Sequence, residues 1–259
     1  MAAAQSGPAA PFPRRGPVRV ALVTGAARRV GAVIARTLHG AGFDVALHFR
    51  SSAAEAARLQ EELEAARAHS TLLLQCDLAD TARLPALVAS VVEHFGRLDA
   101  LVNNASSFFA TPLGAVDEDA WNALLDSNAK APFFLSQAAA PALAHSGGAI
   151  VNLVDIYAER PLKEHTVYCM AKAALAMMTL SLARELGPAV RVNGVAPGPV
   201  LWPEGGKAYA DQHALVQSTA LKRAGKPEDV AAAVLWLLRD AHYTTGDIVR
   251  VDGGRSLGF

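Results

Sequence analysis

The feature that most constrains this chain is a regular alternation of short apolar runs with longer helical stretches. Val18 to Thr24 is a mostly apolar run closed by Gly25, and from Val30 the apolar spacing turns helical through Leu38 to Ala41. The pairing then repeats. Val45 to Phe49 precedes a helix over Ala53 to Ala68, Leu72 to Gln75 precedes Leu84 to Phe95, and Ala100 to Asn103 precedes a long helix from the cap Asp117 to Ala144. Ile150 to Val154 leads to Val167 to Leu186, which Gly187 and Pro188 stop. Val192 to Ala196, the helix opening at Pro227 and ending near Arg239, and the strand Ile248 to Val251 complete the series. Strands that alternate strictly with helices pair in parallel through right-handed crossovers. The expected architecture is α/β: one Rossmann-like, doubly wound parallel sheet of seven strands with helices on both faces.

Composition agrees with such a sheet. Apolar residues make up 52% of the 259 positions and charged residues 19%, enough to bury a sheet on two faces. No repeat or linker divides the pattern, so a single domain is expected over 18–259, after a disordered leader at 1–17 rich in Ala, Pro and Gly. Lysine plus arginine equals aspartate plus glutamate at 24 each, which provides no net field for a nucleic acid or an anionic membrane. No segment reaches the roughly 18 uncharged apolar residues of a spanning helix. The two cysteines, Cys76 and Cys169, have no metal-ligand spacing and suit a reducing cytoplasm. Between 198 and 218 the period is lost and Pro, Gly, Trp202 and Tyr209 accumulate, as in a loop over a binding site.

The segment Thr24 to Gly31, TGAARRVG, lies between the first strand and the first helix, where backbone N–H groups and the helix dipole hold a pyrophosphate. Arg29 stands where a second glycine is common and faces a cation toward the phosphates. Dinucleotide folds that select NAD place an acid at the end of the second strand. Here that place reads HFRSS, His48 to Ser52. Arg50 with Ser51 can bind a 2′-phosphate that a carboxylate would repel, so the expected cofactor is NADPH. The plainer alternative for Arg50 is a solvated loop charge.

Tyr168 and Lys172 are four apart on one face of a helix, and Asp155 ends the fifth strand thirteen positions before Tyr168. A phenol is a poor acid or base near neutrality unless a cation stabilises its phenolate, which Lys172 can do. Asn128 precedes Pro132 by four residues, and the proline lacks the N–H that the Asn128 carbonyl would bind, so the helix should bend there. A carbonyl so freed can hold a water; a packing kink is the alternative.

With these elements the chain resembles the short-chain dehydrogenase/reductase family from about Val18 to Phe259. The resemblance rests on TGAARRVG, on Asp77 after the third strand, and on NNAS from Asn103 to Ser106. It rests further on Asn128, on YCMAK from Tyr168 to Lys172, and on APG from Ala196 to Gly198. It implies that Tyr168 donates the proton and that Lys172 binds the nicotinamide ribose and lowers the tyrosine pKa. The Asn128 carbonyl would hold a relay water. Thr24, Gly25, Arg29, Val30, Gly31, His48, Arg50, Ser51, Asp77, Leu78, Asn104, Ala105, Ser106, Pro197 and Gly198 would line the cofactor. A homotetramer is also implied, through the helices starting near Asp117 and Val167.

Within the family the chain is most similar to the pteridine reductases, which share the Asp155, Tyr168 and Lys172 set, arginine in the glycine turn, HxRS-like residues and NNASSF. Asp155 stands where most members have serine. That likeness implies reduction of a pterin, with folate as a further substrate, at a ring C=N bond. Phe108 would stack on the pterin, Ser106 would hydrogen-bond it, and Arg29 would face its polar edge. A core position is the alternative for Phe108. As an acid, Asp155 needs its pKa raised by burial or by a proton shared with Tyr168. The rival readings are a carbonyl or 3-oxoacyl reductase of the same family, and a non-catalytic NADPH sensor. The GRSLG segment, Gly254 to Gly258, matches a hydrolase motif only by letter, because no helix, histidine or acid follows it. The eight histidines show no zinc spacing.

Overall fold

The computed structural model describes residues 18–200 and 212–258. The expected leader at 1–17, together with Trp202 and Tyr209, lies outside the described residues. Seven parallel strands form one sheet in the order β3-β2-β1-β4-β5-β6-β7: β1 (Val20–Val23), β2 (Asp44–Phe49), β3 (Thr71–Gln75), β4 (Ala100–Asn103), β5 (Ala149–Leu153), β6 (Arg191–Pro197) and β7 (Ile248–Val251). The helices are α1 (Arg29–Gly40), α2 (Ala53–Ala66), α3 (Leu84–Phe95), α4 (Glu118–Leu125), α5 (Ala131–Ser146), α6 (Thr166–Leu186), α7 (Gln212–Gln217) and α8 (Pro227–Arg239). The Rossmann-like α/β reading therefore holds.

Alternate residues of the buried strands feed two cores. Ala21 and Val23 of β1 face the core under α1, α2 and α8, with Ile34, Leu38, Leu59 and Val234. Val20 and Leu22 face the other, with Leu87 and Val91 of α3, Leu135 and Leu143 of α5, and Ala183 of α6. A buried polar chain crosses this second face. Asn103 Nδ2 donates to Ser136 Oγ (3.1 Å) and Asn152 Oδ1 (2.8 Å), and Asn152 Nδ2 donates to Thr179 Oγ1 (2.9 Å). It ties α5 and α6 to the ends of β4 and β5.

Three local details differ from the sequence reading. The helix expected through Ala68 stops at Ala66, because the Glu64 carboxylate accepts the backbone N–H groups of His69 (2.5 Å), Ser70 (3.1 Å) and Thr71 (2.8 Å) and folds the chain into β3. The long helix capped by Asp117, which accepts from Ala120 N at 2.8 Å, contains one π-helical turn at Asp126–Lys130, ending two residues before Pro132. The proline is thus accommodated by widening the helix. Within the loop expected over 198–218, residues Gln212–Gln217 form α7, and 201–211 lie outside the described residues. By length and composition α6 alone among the described helices could cross a membrane. In this fold it packs on β6 and carries Tyr168 and Lys172.

Candidate active site

Chain order reverses between β2 and β4, on either side of β1, and this opens a crevice at the strands' carboxyl ends. The turn from β1 into α1 is held there from three sides. Thr24, buried, accepts the N–H groups of Asn104 (2.9 Å) and Ala105 (2.9 Å) on Oγ1 and donates to Val102 O (3.2 Å). Asn104 Nδ2 donates to Thr24 O (2.8 Å) and Gly25 O (3.2 Å). Gly25 N donates to His48 Nδ1 (3.2 Å), which makes His48 Nε2 the donor to Cys76 O (3.1 Å). Thr24 and His48, both expected to line the cofactor, have buried side chains that brace the turn, and burial pushes the His48 pKa down, which keeps its ring neutral.

Gly31 allows the helix to approach this turn, since a Cβ there would lie 2.2 Å from Gly25 O and 2.6 Å from Asn104 Nδ2. Gly25 and Arg29 both have left-handed backbones, at φ +62 and +54. Arg29 thus keeps the conformation of the glycine it replaces, at the strain a non-glycine residue carries there. Its exposed side chain stands at the N-terminus of α1, and Arg50 and Ser51 are exposed at the end of β2. Val30 is packed against the core. Asp77 is exposed and accepts Ala79 N (3.0 Å), Leu78 is buried, and Ser106 is exposed beside the half-buried Ala105. Gly198 N donates to Val251 O (3.0 Å), and a Cβ on Gly198 would meet Asp252 at 2.7 Å. Close approach of β7 therefore dictates glycine after Pro197. The phosphate-sized turn, the α1 N-terminus and the exposed cations fit a phosphorylated dinucleotide.

The reactive cluster lies across the crevice, on β5 and α6. Tyr168 Oη donates to Asp155 Oδ2 at 2.7 Å, and Asp155 Oδ1 accepts Tyr157 N at 2.9 Å. Lys172 Nζ donates to Leu153 O at 2.8 Å and lies 5.7 Å from the centre of the Tyr168 ring. Burial pushes the Asp155 carboxyl up, against the opposing pull of the Tyr157 N–H, the Tyr168 hydroxyl and Lys172. Burial lowers Lys172 to about 8, with Asp155 opposing. Such a set can hold, share and pass a proton.

Asn128 is buried in the π-helical turn, where its Nδ2 donates to Ser107 O (2.9 Å) and Leu124 O (3.0 Å). Its side chain therefore anchors the segment carrying Ser106 and Phe108. Phe108 meets the Tyr168 ring edge-on, centroids 4.7 Å apart, and stacks on His165 at 4.8 Å. His165 and its neighbour Thr111 were missed from sequence. The only signal was that His165 precedes Tyr168 by one helical turn.

The geometry defines a nucleotide-dependent oxidoreductase site, and comparison with known proteins agrees. A family model described as enoyl-(acyl carrier protein) reductase matches residues 25–256. Pteridine reductase 1 of Leishmania tarentolae is 38% identical, over 92% of this chain and 96% of its own. A putative ketoacyl reductase of granaticin polyketide synthase from Streptomyces violaceoruber is 39% identical, over 92% and 96%. A 3-oxoacyl-(acyl-carrier-protein) reductase of Staphylococcus aureus is 35% identical, over 90% and 96%. The chain belongs to the short-chain dehydrogenase/reductase family and is an oxidoreductase.

Proposed function

We propose that this oxidoreductase is an NADPH-dependent pteridine reductase, acting on oxidised or dihydro pterins and, by the same chemistry, on dihydrofolate. The observation that carries the reading is the 2.7 Å bond between Tyr168 and Asp155. A carbonyl oxygen needs only one hydroxyl donor. A ring nitrogen receiving a proton is better served by a carboxyl whose raised pKa keeps a proton within reach.

NADPH supplies the hydride in this reading, and the chain's residues do the rest. Arg50 and Ser51 bind the 2′-phosphate, and the α1 N-terminus with Arg29 holds the pyrophosphate. Gly25, Val30, Gly31, Asp77, Leu78, Asn104, Ala105, Ser106, Pro197 and Gly198 shape the cofactor groove. Asp155 and Tyr168 hold the proton delivered to the ring. Lys172 stabilises the Tyr168 oxygen and is recharged past Asn128. Phe108 offers the ring face opposite His165 to a flat substrate, with Ser106 and Arg29 on its polar edge.

The assembly that accompanies this reading is a homotetramer in the cytoplasm. Exposed Phe133 and Phe134 on α5, with exposed Met170, Met177 and Leu180 on α6, support self-association. Two free buried cysteines suit a reducing compartment.

The two reductases of oxoacyl substrates among the relatives favour a second reading, in which the substrate is a 3-oxoacyl thioester. NADPH oxidation followed side by side with dihydrobiopterin, dihydrofolate and a 3-oxoacyl thioester separates the two. Turnover of the pterins alone supports pteridine reduction; turnover of the thioester alone overturns it.

A further inference from the structure

We infer that Asn152 and Thr179 are positioning residues for Lys172: their buried hydrogen bond fixes the register of α6 on β5 and so sets where the ammonium stands beside Tyr168. The inference rests on the part that the proposed function gives to Lys172 and not on which substrate is reduced.

Tyr168, Lys172, Leu175, Thr179 and Ala183 recur every three or four residues, so they share one face of α6, and all five are buried. Two polar contacts hold that face to β5. Lys172 Nζ donates to Leu153 O at 2.8 Å, and Thr179 Oγ1, two turns further on, accepts from Nδ2 of the adjoining Asn152 at 2.9 Å. Between and beyond them lie Leu175 and Ala183, aliphatic groups that pack acceptably in more than one register. The polar partners allow only one.

Every atom of the second contact is committed. Thr179 donates its own proton to Leu175 O at 2.9 Å, so its oxygen is left to accept from Asn152. Asn152 Oδ1 accepts from Asn103 Nδ2 at 2.8 Å, and the same Asn103 nitrogen reaches Ser136 Oγ at 3.1 Å. That bond orients the Asn152 amide and aims its Nδ2 at α6. Ser136, Asn152 and Thr179 are fully buried, so no solvent replaces a lost partner. A slipped α6 would leave a bare N–H in the interior, which folded proteins avoid.

Lys172 is the group most exposed to such a slip. Its ammonium ends a long flexible stem, and burial lowers its pKa to about 8 while Asp155 at the end of β5 opposes. The centre of the Tyr168 ring lies 5.7 Å away. The other elements packed on α6 bring little charge to it. In the π-helical turn Asn128 is uncharged, and Lys130 pairs with Asp126 at 3.1 Å. The turn after Asp155 offers Tyr157, and Arg191 of β6 is spent on the carbonyls of Leu237 and Ala241. His145 lies in the last turn of α5, and Glu118 and Asp119 are exposed in the first turn of α4. Movement of α6 on β5 therefore alters both the burial of the ammonium and its distance from the phenol.

The test follows NADPH oxidation from about pH 6 to about pH 10 with dihydrobiopterin or the 3-oxoacyl thioester, whichever the unaltered enzyme reduces. T179V keeps the shape of the side chain and removes the acceptor. Its alkaline limb of kcat/KM should move up from about 8 by about one pH unit as burial of the ammonium eases. Its kcat should fall about tenfold, with the substrate KM within about twofold. T179S restores the hydroxyl and should restore both values. S136A breaks the same chain at α5 but leaves α6 bonded to Asn152, so its limb should stay in place even if stability falls. Should T179V not fold, T179C, a weak acceptor of similar volume, carries the same test. A limb that does not move in the folded variant, or that S136A moves equally, overturns the positioning. An unaltered enzyme without turnover of either substrate, or without an alkaline limb, overturns the role given to Lys172 and the positioning with it.

Discussion

Tyr168 Oη and Asp155 Oδ2 lie 2.7 Å apart, although thirteen positions separate them in the chain and they sit on different elements. The strand end aims the carboxylate into the crevice, and Tyr168, the third residue of α6, brings the phenol over it. Burial raises the carboxyl pKa at that junction. In the proposed mechanism the pair serves as one proton-holding unit beside Lys172.

Replacing Asp155 by serine removes the carboxyl and retains a small hydroxyl. Pterin reduction should lose about two orders of magnitude in kcat, the usual scale for a positioned general acid. NADPH affinity, measured by fluorescence titration, should stay within about twofold, since Asp155 lies across the crevice from the glycine turn. Undiminished pterin turnover would sink the role assigned to Asp155.

The depressed pKa of Lys172 has two consequences of opposite sign. Its ammonium is lost as pH rises through about 8, so kcat/KM should decline above that pH if the charge supports Tyr168. Stability should move the other way. The unfolded chain binds more protons than the native one between about 8 and the ordinary 10.5, so stability rises across that window by on the order of 3 kcal/mol and the penalty is fully present below it. Urea unfolding at several pH values checks this, and Lys172→Met should flatten the slope.

Arg50 is exposed at the end of β2, and the proposed reading assigns its charge to the 2′-phosphate of NADPH. Arg50→Asp should lower the ratio of kcat/KM for NADPH over NADH by about a hundredfold, through lost attraction to phosphate and gained acceptance of the ribose hydroxyls. A ratio that stays constant would return Arg50 to the role of a loop charge.

At Gly31 a methyl group would meet Gly25 O at 2.2 Å, a contact with backbone that cannot rotate away. Gly31→Ala should cost about 3 kcal/mol in urea unfolding and weaken NADPH binding, because the turn and the start of α1 must separate. Unaltered stability would mean that α1 can shift without consequence.

The fold was legible because its signal is local. Apolar runs and helical periods follow one another along the chain, and parallel pairing with right-handed crossovers leaves few other ways to bury them. The positions of Gly25, Asp155, Tyr168 and Lys172 were legible for the same reason: each sits at a strand end or on one helix face whose place in the sheet the alternation already determines. What only the tertiary structure decided is where side chains point and which distant groups they meet. Thr24 and His48 turn inward as braces because Asn104, Ala105 and Cys76 arrive from other strands. Asn128 anchors Ser107 because a π-helical turn brings it there, and Thr111 meets His165 across 54 positions of chain. Such contacts depend on packing between remote segments, and no local pattern in the sequence encodes the direction of a buried side chain.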